Sequence, residues 1–147
     1  MKTVHTWLKE YSESHQNKTN ITIHMICVPA IFLSIIGLLY CVHILDTGNT
    51  VITLAHVAAA FAIIYYLRLS IKLGAALTIF TIICLRFWGF VEKNEGPVFI
   101  IAISIFAAAW IGQFIGHKIE GKKPSFLQDL RFLLIGPLWT ISHIIKP

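Results

Sequence analysis

A polar stripe ends an otherwise apolar stretch of the chain at residues 110–120, WIGQFIGHKIE. Gln113, His117 and Glu120 are spaced by four and three residues, so a helix would place them on one face. An amide, an imidazole and a carboxylate on one stripe can hold a metal ion or a polar ligand. Such a stripe is costly in a membrane helix unless it is satisfied, which makes it a functional-site hypothesis. The alternative is that these residues cap the helix or extend toward the membrane surface.

The composition indicates the environment of this stretch. The chain has 147 residues, of which 56% are hydrophobic and 13% charged, and its mean hydropathy is +0.75. These values exclude an ordinary soluble domain, and the length suits four or five membrane helices of about 20 residues each. We therefore expect an all-α integral membrane bundle in one domain, 1–147. The net charge of +5 relates to topology and anionic headgroups, so no nucleic-acid partner is expected.

Hydrophobic periodicity divides the chain into elements. Residues 1–22 are predicted to form an interfacial amphipathic helix and a turn, and His15 continues the apolar face of this helix. Residues 23–120 are predicted to hold four transmembrane helices, at about 23–44, 51–67, 73–91 and 97–120. Asn20 or Thr22 could cap the first of them. Residues 121–147 would supply a cytoplasmic turn and a final helix, which Gly136-Pro137 makes short, broken or re-entrant.

The distribution of Lys and Arg sets the expected orientation. With a cytoplasmic N-terminus, nine of the twelve fall on the cytoplasmic side, namely Lys2, Lys9, Lys18, Arg68, Lys72, Lys118, Lys122, Lys123 and Arg131. This orientation brings His15, His24 and His117 to the same face, although they belong to three different elements. Two or three histidines with a carboxylate suit non-haem Fe(II) and oxygen. The side chains of Asn17, Asn20 and Gln113 could orient the rings, and Gly112 with Gly116 would let another helix pack closely.

The remaining histidines are interpreted differently. His56 is predicted near the opposite face, and His43 beside the outer loop, so both are interpreted as packing residues. The position of His143 depends on the final segment. It lies far from the other histidines if that segment crosses the membrane, and it can join them if the segment turns back or stays shallow.

Two long blocks of the chain resemble a known family. They are residues 11–29, YSESHQNKTNITIHMICVP, and residues 110–139, WIGQFIGHKIEGKKPSFLQDLRFLLIGPLW, together about a third of the sequence. The first is similar to the family's Tyr, His, Asn, Asn, Ile-His and Val-Pro pattern, and the second to its Gln-Phe-x-Gly-His block with a basic-Pro turn. The family is that of small membrane proteins including the yeast 2-hydroxy-fatty-acid dioxygenase of phytosphingosine breakdown.

The resemblance implies an Fe(II)-dependent dioxygenase that uses O2 to shorten 2-hydroxy fatty acids by one carbon. It carries the family's catalytic, metal-binding histidines onto His15, His24 and His117. His143 falls where the yeast-type pattern has Glu, which suggests a fourth ligand. The segment GHKIEGKKP departs from the eukaryotic pattern, so Glu120 is not equated with the family's acidic residue.

The same departure looks more like the bacterial branch, which implies a bacterial inner membrane, or the endoplasmic reticulum if the chain is eukaryotic. Lys122 and Lys123, together with Lys18, could attract the substrate carboxylate. Membrane lipid is the other expected partner. The sequence gives no indication of oligomeric state.

Two other functions fit intramembrane histidines. A non-enzymatic metal or proton conduit is one, but it would need polar positions running through the bilayer, whereas most of these residues gather at one face. Haem binding is the other, and it lacks an obvious facing pair of histidines on two long helices.

Overall fold

The computed structural model describes residues 3–48, 51–123 and 131–145. It confirms the predicted all-α bundle and adds one short antiparallel hairpin that the sequence did not predict. The elements are α1 (Val4–Glu13), α2 (Lys18–Tyr40), β1 (His43–Asp46), β2 (Val51–Thr53), α3 (Leu54–Leu69), α4 (Ile71–Lys93), α5 (Val98–Glu120) and α6 (Arg131–Ser142).

Three of the helices are long and apolar enough to cross a membrane. α2, α4 and α5 each have 23 residues, which at about 1.5 Å per residue exceeds a hydrocarbon core of about 30 Å. Their outward faces carry exposed apolar side chains such as Ile26 and Ile79. α3 has 16 residues, fewer than the roughly 20 that a span needs, so its predicted crossing stays a prediction.

Both ends of α2 differ from the sequence prediction. The helix begins at Lys18 because the Asn17 side chain accepts hydrogen bonds from the Thr19 and Asn20 amides, at 2.9 and 3.4 Å. The prediction of Asn20 or Thr22 as the cap was therefore wrong. The helix ends at Tyr40, not at residue 44, because residues 43–46 pair with residues 51–53 instead of continuing the helix.

The two helices α2 and α5 pack closely and run antiparallel. A Cβ atom on Gly112 would lie 2.6 Å from Sγ of Cys27, and one on Gly116 would meet Oδ1 of Asn20. Neither position has space for a larger side chain, so the predicted close packing at the two glycines is confirmed. The contact places the start of α2 beside the end of α5.

α1 and α6 close this same end of the bundle. Trp7 and Tyr11 of α1 are buried against Trp139 of α6 and against Leu73 and Leu77 near the start of α4. α6 is a continuous helix through Pro137 and has only 12 residues. The final segment is therefore short but unbroken, and it stays at the end of the bundle where α2 begins.

Candidate metal centre

Three buried histidines meet where α1, α2 and α5 come together. His15 follows α1, His24 lies in the second turn of α2, and His117 lies in the last turn of α5. Their ring centroids are 4.3 Å (His15 to His24), 4.8 Å (His24 to His117) and 5.2 Å (His15 to His117) apart. One nitrogen of each ring lies within 4.8 Å of the others. Within residues 3–48, 51–123 and 131–145, no other group of three His, Cys, Asp or Glu side chains has this proximity.

Main-chain carbonyls fix the protonation of two of the rings. Nδ1 of His15 is 2.7 Å from the Tyr11 carbonyl oxygen, and Nδ1 of His24 is 3.0 Å from that of Asn20. A carbonyl oxygen only accepts, so each Nδ1 carries the proton and donates it, and Nε2 of the neutral ring keeps its lone pair. Nε2 of His15 is buried, and no described residue donates a hydrogen bond to it. A buried acceptor without a hydrogen-bond donor indicates that a further partner binds there.

The nitrogens of His24 and His117 are spaced as two ligands of one ion would be. Their Nε2 atoms are 3.1 Å apart. Two nitrogens about 2.1 Å from a common ion, at an angle of about 90–110°, are about 3.0–3.4 Å apart. Since Nε2 of His24 has no proton, the contact needs either the Nε2 proton of His117 or a cation between the two atoms. The donor set therefore fits a metal ion that accepts imidazole, such as Fe, Zn, Cu or Ni.

Packing holds the His15 ring in its neutral form. The Tyr11 ring stacks on it with centroids 4.3 Å apart and an interplanar angle of 1°. Burial lowers the pKa of His15 and outweighs the opposite effects of the Tyr11 carbonyl and the Glu120 carboxylate. A neutral imidazole is the form that binds a metal ion.

The Glu120 carboxylate joins the end of α5 to the connection between α1 and α2. Its Oε1 accepts the Gln16 amide at 2.9 Å, and its Oε2 accepts the Asn17 amide at 2.8 Å and Nδ2 of Asn20 at 3.0 Å. Both oxygens are thus used on the segment that carries His15 and leads into α2. Among the predicted site residues, Glu120 lies beside the histidines but points its carboxylate to this segment.

Two of the predicted partners hold the backbone in place. The Asn17 side chain caps α2, and the buried Asn20 side chain donates to Glu120. No described hydrogen bond joins either side chain to a ring. The main-chain carbonyls of Tyr11 and Asn20 bond the rings of His15 and His24 instead. Each carbonyl lies four residues before its histidine, and this i to i+4 spacing is the signal that sequence reasoning missed.

The two predicted lysines differ in their contacts. Nζ of Lys122 donates to the Glu13 carbonyl oxygen at 2.6 Å, which adds a second link between the end of α5 and α1. Both lysines are exposed. The expected role of Lys122 and Lys123 in attracting the substrate stays a prediction.

The structure does not bring His143 into the group of three. Its ring is exposed, its Nδ1 is 2.9 Å from the Trp139 carbonyl oxygen, and its centroid is 4.3 Å from the Trp139 ring. The Trp139 ring is in turn 5.1 Å from that of His15. The indole therefore packs against both imidazoles. The expected role of His143 as a fourth ligand stays a prediction.

An apolar groove leads away from His117 between α2, α5 and α6. Gln113 lies one turn before His117, is only 6% exposed, and has no described hydrogen-bond partner. Ile35 and Leu133 are more exposed, at 37% and 39%, so the groove opens to the outer surface there. The lining residues are Tyr11, Val28, Ile31, Phe32, Ile35, Trp110, Gln113, His117, Phe132, Leu133, Gly136 and Pro137.

The chain resembles known proteins over most of its length. The family model described as 2-hydroxy-palmitic acid dioxygenase Mpo1-like matches residues 1–146. The 2-hydroxy-palmitic acid dioxygenase MPO1 of Saccharomyces cerevisiae is 26% identical over 137 residues, which cover 92% of this chain and 75% of the yeast protein. No solved structure matches the chain. With nearly its whole length matched by the family model, the chain belongs to the Mpo1-like family.

Proposed function

We propose that the chain is an Fe(II)-dependent dioxygenase that converts 2-hydroxy fatty acids by α-oxidation to the fatty acid one carbon shorter. The observation that carries the proposal is the meeting of three buried imidazoles whose nitrogens lie within 4.8 Å of one another. The family and the name of the yeast relative support the substrate class.

The proposed reaction breaks the bond between C1 and C2 of the substrate. C2 is oxidised from a secondary alcohol to a carboxyl group, and C1 leaves as carbon dioxide. The substrate loses four electrons, and one O2 accepts them. One 2-hydroxy acid and one O2 thus give the shorter acid, one CO2 and one water, with no other reductant required.

His15, His24 and His117 are the residues proposed to hold iron. Iron(II) suits two or three neutral histidines with open positions, and when bound it supplies the redox chemistry with oxygen. The protein's part is to present the nitrogens with their lone pairs free, which the Tyr11 and Asn20 carbonyls do for two of the rings.

The groove is proposed to hold the substrate. Its apolar walls suit an acyl chain and keep water from the reacting end. Gln113 is the polar side chain one turn from His117, and its unpartnered amide can bind the hydroxyl or carboxylate at C2 and C1. The exposed Lys123 and Lys18 side chains would attract the acid toward this end of the bundle.

The excess of Lys and Arg near this end leads us to propose that it faces the cytoplasm. The N-terminus and the metal centre would then lie at the inner face of a bacterial inner membrane, or on the cytoplasmic side of the endoplasmic reticulum in a eukaryote. The orientation is measured by attaching a tag to the N-terminus and testing whether a protease added to sealed vesicles cleaves the tag.

The test of the function uses anaerobically purified protein and the variant His117→Ala. Iron is measured by mass spectrometry, oxygen uptake with an electrode after adding 2-hydroxy-palmitic acid, and the shorter acid by gas chromatography. The parent should contain iron and consume oxygen, and H117A should lose the iron and at least about 10²-fold of the turnover, since a ligand is removed. The control His5→Ala removes an exposed imidazole and should behave as the parent.

Retention of both iron and turnover in H117A would contradict the assignment. Uptake of metal into proteoliposomes without oxygen consumption would instead favour a conduit. The buried hydroxyls of Ser34 and Thr81 give a conduit no support, because each donates to a carbonyl of its own helix, at 2.8 and 2.7 Å, and neither donates a hydrogen bond across to another helix.

A further inference from the structure

A second polar site lies at the end of the bundle opposite the metal centre. α2 has 23 residues and ends at Tyr40, which lies about 24 Å along the helix axis from His24. There a cleft opens between the end of α2, the start of α3 and the last turns of α4. Its lining consists of Tyr40, His56, Ile82, Leu85, Arg86, Gly89, Phe90 and Lys93.

Arg86 is the residue that needs an explanation. It lies in the membrane-spanning helix α4, seven residues before Lys93, so both cations are on one face and Arg86 is about 10 Å deeper. Arg86 is exposed, and no described residue pairs with it. An arginine at such a depth in a membrane helix is costly without a partner and marks a functional position.

The neutral side chains of the cleft are also hydrogen-bond donors. Nδ1 of His56 accepts the Thr53 amide at 3.2 Å and lies 2.9 Å from the Thr53 hydroxyl. With Nδ1 an acceptor, the proton of the neutral ring is on Nε2, which is left to donate. The Tyr40 hydroxyl lies beside Gly89, 3.1 Å from where a Cβ would be.

None of the described residues that line the cleft has a carboxylate to neutralise these donors. Among the described residues, the acid beside it is Glu92, which is held by Nε2 of His43 at 2.8 Å. Two cations with an imidazole N–H and a phenol O–H form a set that suits a phosphate group. Ile82 and Phe90, which are 50% and 67% exposed, provide an apolar surface next to these donors.

We propose that this cleft binds an anionic phospholipid of the leaflet opposite the metal centre. The phosphate contacts Arg86, Lys93 and His56, and an acyl chain lies along Ile82. Basic pockets between membrane helices bind anionic headgroups in this way. A lipid fits better than an aqueous anion because the deepest donor, Arg86, lies among side chains that would face hydrocarbon.

The test uses the full-length, iron-loaded protein in nanodiscs that contain equal amounts of phosphatidylglycerol and phosphatidylcholine. Native mass spectrometry counts the lipids that remain bound, and thermal unfolding is measured in detergent with each lipid added. The parent should retain phosphatidylglycerol preferentially and show a higher Tm with it. The double variant R86Q/K93Q should retain at least about tenfold less phosphatidylglycerol than the parent, because two charge-assisted contacts are lost.

The matched control is Lys72→Gln, which removes an exposed lysine from the other end of the same helix. It should keep the preference, and iron content should be unchanged in both variants. An unchanged preference in R86Q/K93Q, or an equal loss in K72Q, would overturn the proposal. An equal rise in Tm with inorganic phosphate would overturn it as well, by showing a site for an aqueous anion.

Discussion

Which nitrogen of each ring carries the proton decides what the histidines can bind. The Tyr11 and Asn20 carbonyls accept the Nδ1 protons of His15 and His24, so the two Nε2 atoms are left for a ligand. Because these acceptors belong to the main chain, the tautomers do not depend on which side chains stand at positions 11 and 20. His117 differs, since its Nδ1 is buried without a described partner, and this ring is the least constrained of the three.

The substitution Gln113→Leu tests the proposed contact with the polar end of the substrate. Leucine keeps most of the volume but has no amide, so the KM for 2-hydroxy-palmitic acid should rise about tenfold, as expected for a lost hydrogen bond to a charged group. Iron content should stay at the parent level, because Gln113 is not one of the three histidines that are proposed to hold iron. Oxygen uptake against substrate concentration measures the effect.

Gln16→Leu is the matched control, because its side chain is exposed and bonds only the nearby Ser12 carbonyl. It should keep the parent KM. If Q113L also keeps it, Gln113 has only a packing role in the groove.

At the scale of secondary-structure elements, the site depends on how α5 holds the connection between α1 and α2. Two backbone N–H groups of that connection, from Gln16 and Asn17, and the side-chain amide of Asn20 in the first turn of α2 converge on the Glu120 carboxylate. Gly112 and Gly116 let the two long helices come close enough for this contact. The carboxylate therefore positions His15 and His24 relative to His117.

We expect Glu120→Ala to weaken iron binding about 10- to 100-fold, as is usual when residues that orient metal ligands are removed. The three histidines remain, so iron should still bind at a high concentration of metal. Titration of the metal-free protein with Fe(II), in competition with a chelator, measures the affinity.

Glu95→Gln serves as the control, because Glu95 is an exposed acid in the turn after α4. Its affinity for iron should equal that of the parent. Parent affinity in E120A as well would show that the carboxylate does not position the site.

Local signals explain which helix boundaries were predicted from the sequence. α5 was predicted at 97–120 and spans Val98–Glu120, since Pro97 precedes it and Gly121, with φ of 73°, ends it. The ends of α2 were missed for different reasons. Several nearby residues can cap its start, and its other end is set by pairing with a strand that follows a turn, which no local pattern reveals.

At the scale of the whole molecule, the sequence located the three histidines because helical spacing and charge distribution are both readable from it. The contacts of Glu120 span about a hundred residues, so they require the packed structure. The position of α6 was left open as well, because Gly136-Pro137 permits a bend, and only the packing of Trp139 against α1 and α4 determines where the helix lies.

The groove opens at Ile35 and Leu133, so we expect the substrate to enter from the membrane. At a fixed amount of 2-hydroxy-palmitic acid, added detergent lowers the mole fraction of substrate in the micelles. The rate of turnover should then fall in proportion to this mole fraction. Enlarging the aqueous volume at a constant ratio of detergent to substrate should leave the rate per enzyme unchanged. Oxygen uptake measures both series, and a rate that followed bulk concentration would indicate entry from water.

The walls of the groove also bear on how selective the protein can be. Apolar surface distinguishes two homologous acids by about 0.8 kcal/mol per methylene, or about fourfold in affinity. Neighbouring members of a homologous series would thus differ only about fourfold in affinity, and an acid that has lost one carbon and is hydroxylated again at C2 would still bind, about fourfold more weakly. Discrimination between reactant and product falls instead to the few polar atoms beside His117, where the 2-hydroxyl is present in one and missing from the other.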